Sequence, residues 1–205
     1  MHGQVGRAEE ELCRILLRTG SLKFGTFKLA SGMLSPYYVD LRLIPSDPEA
    51  FRRIMTFFSS VLNAAVVKRV ARIAGIPTAG IAYGAILAFN LAKPFMYVRK
   101  ETKEHGRGRR IEGVLLPGDR VLVLDDVITT GKNVVEAVAA IRSEGGLVED
   151  AVVLLDRQQG GAANLRNIGV KLHSFSTMHR IADILLAQGT IDERQHAEIV
   201  GQIIS

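Results

Sequence analysis

At 205 residues, with 47% hydrophobic and 23% charged side chains, the chain suits one soluble globular domain with a sizeable core. Its one cysteine, Cys13, excludes an internal disulfide framework and any cysteine-based zinc site, and no apolar window reaches the roughly 20 residues needed to span a bilayer. Of the net charge of +5, six basic and three acidic residues between Arg99 and Glu112 place +3 in one loop, without the interleaved aromatics of a single-strand nucleic-acid binder. A small polyanion is the better-matched partner. The N-terminus has no signal-like apolar stretch, so a cytoplasmic location is the default expectation.

Residues 8–18 carry the apolar spacing of an amphipathic helix closed at Gly20, with Cys13 as a small buried thiol on it. Residues 24–32 and 35–42 alternate around a turn and predict a β-hairpin. Ser46 and Glu49, three apart with Pro48 between them, have the form of a capping box, so a long helix is expected from there to about Val67. A strand over 70–76, a small-residue helix over 78–92 and a strand over 95–98 follow. Beyond the basic loop come a strand from Val121, a helix over 134–142, a strand over 148–155, a helix over 162–167 and a strand over 170–175. Two terminal helices complete the chain, the last with Thr190 and Glu193 as its capping box.

This alternation predicts an α/β fold with a doubly wound, mainly parallel sheet: a single domain over 1–205, its core at about 46–175. The hairpin breaks the alternation. Residues 8–45 are therefore expected to form a small flap or hood over the sheet edge together with the C-terminal helices, 176–205. Ligands of such sheets bind beyond the carboxyl ends of the strands. Asp125 and Asp126, the turn after Ile76, the loop after Val98 and the segment after Leu155 should converge there.

The densest chemistry lies where the apolar run 121–124 ends in two carboxylates, Asp125 and Asp126, each expected to be exposed at the strand end. Val127, Ile128, Thr129, Thr130, Gly131, Lys132 and Asn133 then lead into a helix. A small hydroxyl- and glycine-containing turn at a helix start is an anion cradle, because free backbone N–H groups and the positive end of the helix dipole point at it. The carboxylates repel phosphate; they suit the vicinal hydroxyls of a sugar, or a nearby metal. The parts together describe a sugar-phosphate site, and neither the Walker nor the dinucleotide glycine spacing is present. In the basic loop, Arg99, Lys100 and Lys103 can neutralise a pyrophosphate, and His105 can carry a proton near neutral pH. Its length and its Gly106 and Gly108 suit a lid that closes.

The stretch from Val121 to Asn133 closely resembles the phosphoribosyl-pyrophosphate (PRPP) signature of type I phosphoribosyltransferases. Arg99, Lys100, Lys103 and His105 ahead of it look like the catalytic loop of orotate phosphoribosyltransferases. The pattern of Phe27, Leu29, Ser31, Gly32, Ser35, Pro36, Tyr37 and Tyr38 is similar to that family's N-terminal flap, and the segment from Leu155 to Gln158 also fits. The resemblance runs in order over about residues 8–175. It implies that Arg99, Lys100, Lys103 and His105 contact the pyrophosphate of PRPP, that Asp125 and Asp126 hold the ribose hydroxyls, and that residues 127–133 form the 5′-phosphate loop. Lys100, Lys103, His105, Asp125 and Asp126 would be the catalytic set. Thr129 and Arg157 would bind orotate, Arg157 through its carboxylate. Two departures stand out. Ala30 occupies a position where many members have lysine, with Lys28 on the same strand face as its substitute for orotate binding. Ile73 and Ala74 stand where some members have a lysine.

The activity implied is transfer of ribose 5-phosphate from PRPP to orotate in pyrimidine biosynthesis, giving orotidine 5′-monophosphate and pyrophosphate. Magnesium is the implied cofactor. No dedicated metal cage is visible, so the ion is expected to arrive with PRPP. The implied partners are PRPP, orotate and a second copy of the chain, in a homodimer that shares loop 99–113 across its interface; nucleic acid and membrane are not among them. A purine phosphoribosyltransferase or a non-catalytic PRPP-sensing regulator would share the signature. The flap and Arg157 favour the acidic pyrimidine, and Lys100, Lys103 and His105 favour catalysis.

Overall fold

The computed structural model describes residues 2–28, 34–99 and 110–203. Helix α1 (His2–Arg18) closes at Gly20 as expected but begins before Ala8, in a stretch of sequence without proline. Strands β1 (Leu22–Lys28) and β2 (Leu34–Val39) pair antiparallel as the predicted hairpin.

The predicted long helix is two helices. After a 3-10 turn over Leu41–Ser46, α2 (Pro48–Val61) starts on Asp47 rather than Ser46, the Asp47 carboxylate accepting from the Ala50 N–H at 3.0 Å. Helix α3 (Ala64–Arg69) restarts on Asn63, whose side chain accepts from the Val66 N–H at 2.9 Å. A short side-chain acceptor competes with the helical backbone for its own N–H groups, so Asn63 favours a new start over continuation.

Strand β3 (Arg72–Gly75), α4 (Ala79–Asn90), β4 (Phe95–Val98), β6 (Arg120–Leu124), α5 (Lys132–Ser143), β8 (Leu147–Asp156), α6 (Gly161–Asn167) and β9 (Lys171–Thr177) follow the predicted alternation. Two short strands were not predicted: β5 (Ile111–Glu112) and β7 (Val127–Ile128). Helices α7 (Met178–Ala187) and α8 (Glu193–Val200) end the chain, and the capping box of α8 uses Asp192 and Gln195 instead of Thr190 and Glu193. Among the described residues no helix is long and apolar enough to cross a membrane.

The sheet runs β5-β4-β3-β6-β8, parallel except for β5, and β8 also pairs with β7 and β9. Because β9 follows one edge of β8 from Asp150 to Asp156, β7 must occupy the other edge and continue the line of β6 past Asp125 and Asp126. Alternate residues serve opposite faces. Leu122, Leu124, Val152 and Leu154 pack toward α1, α2, α4 and α7, whereas Val121, Val123, Ala151 and Val153 pack toward α5 and α6. That is why both strands read as unbroken apolar runs. Each fully buried Leu or Val in these layers contributes roughly 1.5–3 kcal/mol. Helix α1 packs on α7 and β1, and α8 packs on α7 and β2, so both ends of the chain meet at the hairpin.

Candidate active site

Asp125 and Asp126 interrupt the line of β6 and β7 without leaving the sheet. The Asp125 N–H donates to the Val152 carbonyl at 3.1 Å, and the Asp126 carbonyl accepts from the Leu154 N–H at 3.0 Å. The backbone is therefore rigid where the two side chains emerge. Contrary to expectation, Asp125 is buried, at 8% exposure, and its Oδ1 accepts from the Asp126 N–H at 2.9 Å. The cause is the neighbouring helix: a Cβ at Gly80 would stand 2.7 Å from the Leu124 carbonyl oxygen, so glycine lets α4 begin directly against the end of β6. Burial pushes the Asp126 carboxyl above the usual carboxylate range and Asp40's charge adds to it, against the opposing hydrogen bonds from Asp125 and the backbone N–H groups.

Gly131 precedes α5 at a φ of 77°, a left-handed conformation that glycine adopts without strain. It offers no side chain to cap the helix, so the first-turn N–H groups face the loop from Ile128 to Gly131. Three of the loop's carbonyls are engaged by residues outside α5. Ile128 O accepts from the Arg157 N–H at 2.9 Å, Thr129 O from the Gly161 N–H at 3.0 Å, and Thr130 O from Asn164 Nδ2 at 2.9 Å. The result is a pre-formed anion cradle of about 250 Å³ lined by Asp125 and residues 127–134.

A second hollow of about 250 Å³ shares Asp125, Val127, Thr129 and Asn133 with the cradle and adds Asp126, the Pro77–Ala79 turn, Asp40, Arg42 and Arg157. The two form one cleft beyond the carboxyl ends of β3, β6 and β8. Arg157, 7% exposed, is held by the flap: its Nε donates to Tyr37 Oη at 3.0 Å, its Nη2 to Ser35 Oγ at 3.4 Å, and its guanidinium lies 4.6 Å from the Tyr37 ring centre. Burial pushes the Tyr37 phenol up, and the Arg157 charge and hydrogen bond act against it.

The cleft thus gathers Asp125, Asp126, Val127, Ile128, Thr129, Thr130, Gly131, Lys132, Asn133 and Arg157 of the sequence-derived set. Lys28 is exposed at the end of β1, and Arg99 Nη1 donates to Glu112 Oε1 at 3.3 Å; neither lines the cleft. The Arg99 N–H donates to the Arg110 carbonyl at 2.8 Å, so the basic loop departs from and returns to one paired stem at the end of β4. Lys100, Lys103, His105 and the flap residues Ala30, Ser31 and Gly32 lie outside the described residues. Sequence reasoning missed Asp40 and Arg42. Arg42 Nε and Nη2 donate to the two oxygens of Asp40 at 2.7 and 2.8 Å, which holds that carboxyl below its usual range. Their alternation around buried Leu41, just after the flap, was the available signal.

The phosphoribosyl transferase domain model matches residues 44–168. An orotate phosphoribosyltransferase of Pyrobaculum islandicum is 43% identical over 188 residues, spanning 91% of this chain and 95% of that protein. The crystal structure of orotate phosphoribosyltransferase from Aeropyrum pernix superposes with a TM-score of 0.79 at 34% identity, covering 88% of this chain and 99% of that one. The Leishmania donovani UMP synthase structure gives 0.83 at 32% identity, over 94% of this chain and 41% of that longer chain. Sequence identity along nearly the whole length and the shared architecture agree with the cleft: the chain belongs to the orotate phosphoribosyltransferase family.

Proposed function

We propose that this protein transfers ribose 5-phosphate from PRPP to a ring nitrogen of orotate, releasing pyrophosphate and forming orotidine 5′-monophosphate. The observation that carries the reading is one cleft in which paired carboxylates, an uncapped helix start and a buried arginine lie side by side. Each suits one part of the substrates. The cradle at α5 takes the 5′-phosphate, Asp125 and Asp126 accept from ribose hydroxyls, and Arg157 faces the carboxylate of the base, where an ionised group removed from water needs a cation. The displacement builds positive charge on the ribose and negative charge on the departing pyrophosphate, which the cations of loop 99–113 neutralise.

Among the described residues no three His, Cys, Asp or Glu side chains group as a metal cage. The acidic floor of the cleft nonetheless fits magnesium held chiefly by the substrate, with Asp125 and Asp126 as the carboxylates within its reach. When bound, the ion would share in neutralising the pyrophosphate. We further propose a homodimer in which each loop 99–113 serves the partner's cleft.

Protein mixed with PRPP and magnesium should release pyrophosphate with orotate and not with adenine, hypoxanthine or xanthine; turnover of a purine in place of orotate overturns the reading. Lys100→Ala and Asp125→Ala proteins should each be nearly inactive, and subunit exchange between them should restore part of the activity. Mixed dimers confirmed by mass spectrometry that stay inactive would remove the shared loop.

A further inference from the structure

The base-facing cation is not held by the sheet alone. Arg157 reaches its orientation through two residues of β2, Tyr37 and Ser35, and Ser35 is in turn engaged by the segment that follows α8. Ser35 Oγ lies 3.1 Å from Gln202 Oε1, and Gln202 Nε2 donates to the Leu34 carbonyl at 2.9 Å. One carboxamide therefore grips two successive residues at the start of β2, using its acceptor on a side chain and its donor on the main chain.

The engagement is specific. Ser35 is buried, at 1% exposure, in contact with a residue 167 positions later in the chain. Its hydroxyl has one proton and two acceptors within range, the Tyr37 carbonyl at 2.8 Å and Gln202 Oε1 at 3.1 Å, while its lone pairs face Arg157 Nη2 at 3.4 Å and the Tyr37 N–H at 3.5 Å. Gln202 helps to set where that proton points, and hence where the lone pair that receives Arg157 points. The position of the segment is fixed by the last turn of α8. There the Gly201 N–H donates to Ala197 O at 2.9 Å and the Gln202 N–H to Ile199 O at 3.1 Å, and the buried Ile199 anchors the helix in the core.

We propose that Gln202 is a positioning residue for the base-binding part of the cleft. It fixes the start of the flap strand so that Ser35 and Tyr37 hold the Arg157 guanidinium toward the carboxylate of the bound base. The inference rests on the reading of Arg157 as the base-binding cation. It gives the C-terminal helix a role in substrate binding that its distance along the chain from the PRPP loop would not suggest.

The test uses the full-length protein and steady-state kinetics in both substrates. Gln202→Met keeps the size of the side chain and removes both hydrogen bonds, each worth the modest net amount of a neutral pair, so the KM for orotate should rise about three- to tenfold. The KM for PRPP and the thermal unfolding midpoint should stay near wild type, because the phosphate loop and Asp125–Asp126 lie on other elements. Gln202→Glu retains the acceptor for Ser35 but sets a carboxylate oxygen against the Leu34 carbonyl, so it should raise the orotate KM at least as far as Gln202→Met; an orotate KM at the wild-type value would overturn the role of the Leu34 contact. Ser35→Ala and Gln202→Met should be non-additive in the orotate KM, as members of one hydrogen-bonded chain are. Arg157→Gln separates the two levels of the argument. If it leaves the orotate KM unchanged, the base-binding reading of Arg157 fails and the role of Gln202 with it. If Arg157→Gln raises that KM and Gln202→Met does not, or if Gln202→Met lowers stability and raises both KM values alike, the positioning role is overturned and Arg157 keeps its own.

Discussion

The two ends of the parallel strands treat acidic side chains in opposite ways. At the amino ends, acids meet cations of the same chain: Arg72 Nε donates to Asp119, Arg69 Nη2 to Asp150, His173 Nε2 lies 2.8 Å from Asp150, and Arg120 Nη1 donates to Glu149 at 2.6 Å. Burial is the largest influence on Asp119 and on Asp150 and raises both. Hydrogen bonds from Arg72 and the Leu116 N–H, and from His173 and Arg69, outweigh it and leave both carboxyls below their usual range. At the carboxyl end Asp126 also feels burial first, but its hydrogen-bonding neighbours are Asp125 and backbone N–H groups, and its carboxyl stays above the range. One sheet thus completes its charges at one end and, at the other, keeps Asp126 in an environment that ligand hydroxyls or a substrate-borne cation would improve. Perturbed carboxylates of the second kind mark functional sites, at some cost in stability.

The sharpest way to break this contrast is to remove an acid from each end. Asp150→Ala leaves Arg69 and the largely buried His173 without their common partner, so the urea midpoint should fall clearly while orotate turnover is retained. A variant that unfolds like wild type but loses turnover would reverse the assignment of the two ends.

Asp125→Asn and Asp126→Asn should do the opposite. Each weakens a charge-assisted hydrogen bond to a ribose hydroxyl, worth roughly 1.5–3 kcal/mol, so kcat/KM for PRPP should fall about tenfold to a hundredfold. The Asp126→Asn protein should unfold at or above the wild-type temperature at pH 7, since a partly buried carboxylate whose charge is disfavoured is neutralised. Wild-type kinetics with a lowered midpoint would make the pair structural.

Acid titration refines the comparison, because the two shifts have opposite signs. The Asp150 carboxyl is depressed in the folded state. Its contribution is fully present above the ordinary carboxylate pKa of about 3.9 and is lost as pH falls through the lower folded value. Asp126 is raised, so the folded protein gains relative stability as pH falls through its folded value toward the unfolded one. In urea unfolding across the acid range, Asp150→Asn should flatten the acid-side loss, and Asp126→Asn should remove the gain above it. Identical pH profiles for both variants would dissolve the distinction. The smallest effect belongs to Arg120→Ala. Its partner Glu149 and Arg120 itself are about half exposed, at 52% and 45%, and the loss should stay under about 1 kcal/mol.

Near-neighbour chemistry made much of the fold and site readable in the chain. The apolar runs of β6 and β8 are unbroken because helices cover both faces, and Gly131, the two carboxylates and Arg157 each announce themselves within a few residues of a strand end. Element boundaries were less readable. Ser46 and Asp47 are both capping residues with proline and glutamate just beyond, and the backbone angles that select Asp47 are set by the preceding 3-10 turn. The same ambiguity moved the last capping box from Thr190 to Asp192. Asn63 interrupts an apolar pattern that reads straight through it, because periodicity records which face is buried and not whether the backbone bonds continue.

By itself the sequence determined the order and type of the elements, the parallel sheet and the identity of the residues at its carboxyl end, since these follow from periodicity and turn chemistry over a few positions. Tertiary structure alone decided the electrostatic state of those residues. Asp125 is buried because α4 can start against β6 at Gly80, Asp40 and Arg42 join the cleft because the hairpin folds toward it, and Arg157 is aimed by Ser35 and Tyr37 with Gln202 behind them. Desolvation and hydrogen-bond direction depend on atoms brought together from distant parts of the chain, up to 167 positions apart between Ser35 and Gln202, and no local pattern encodes that encounter.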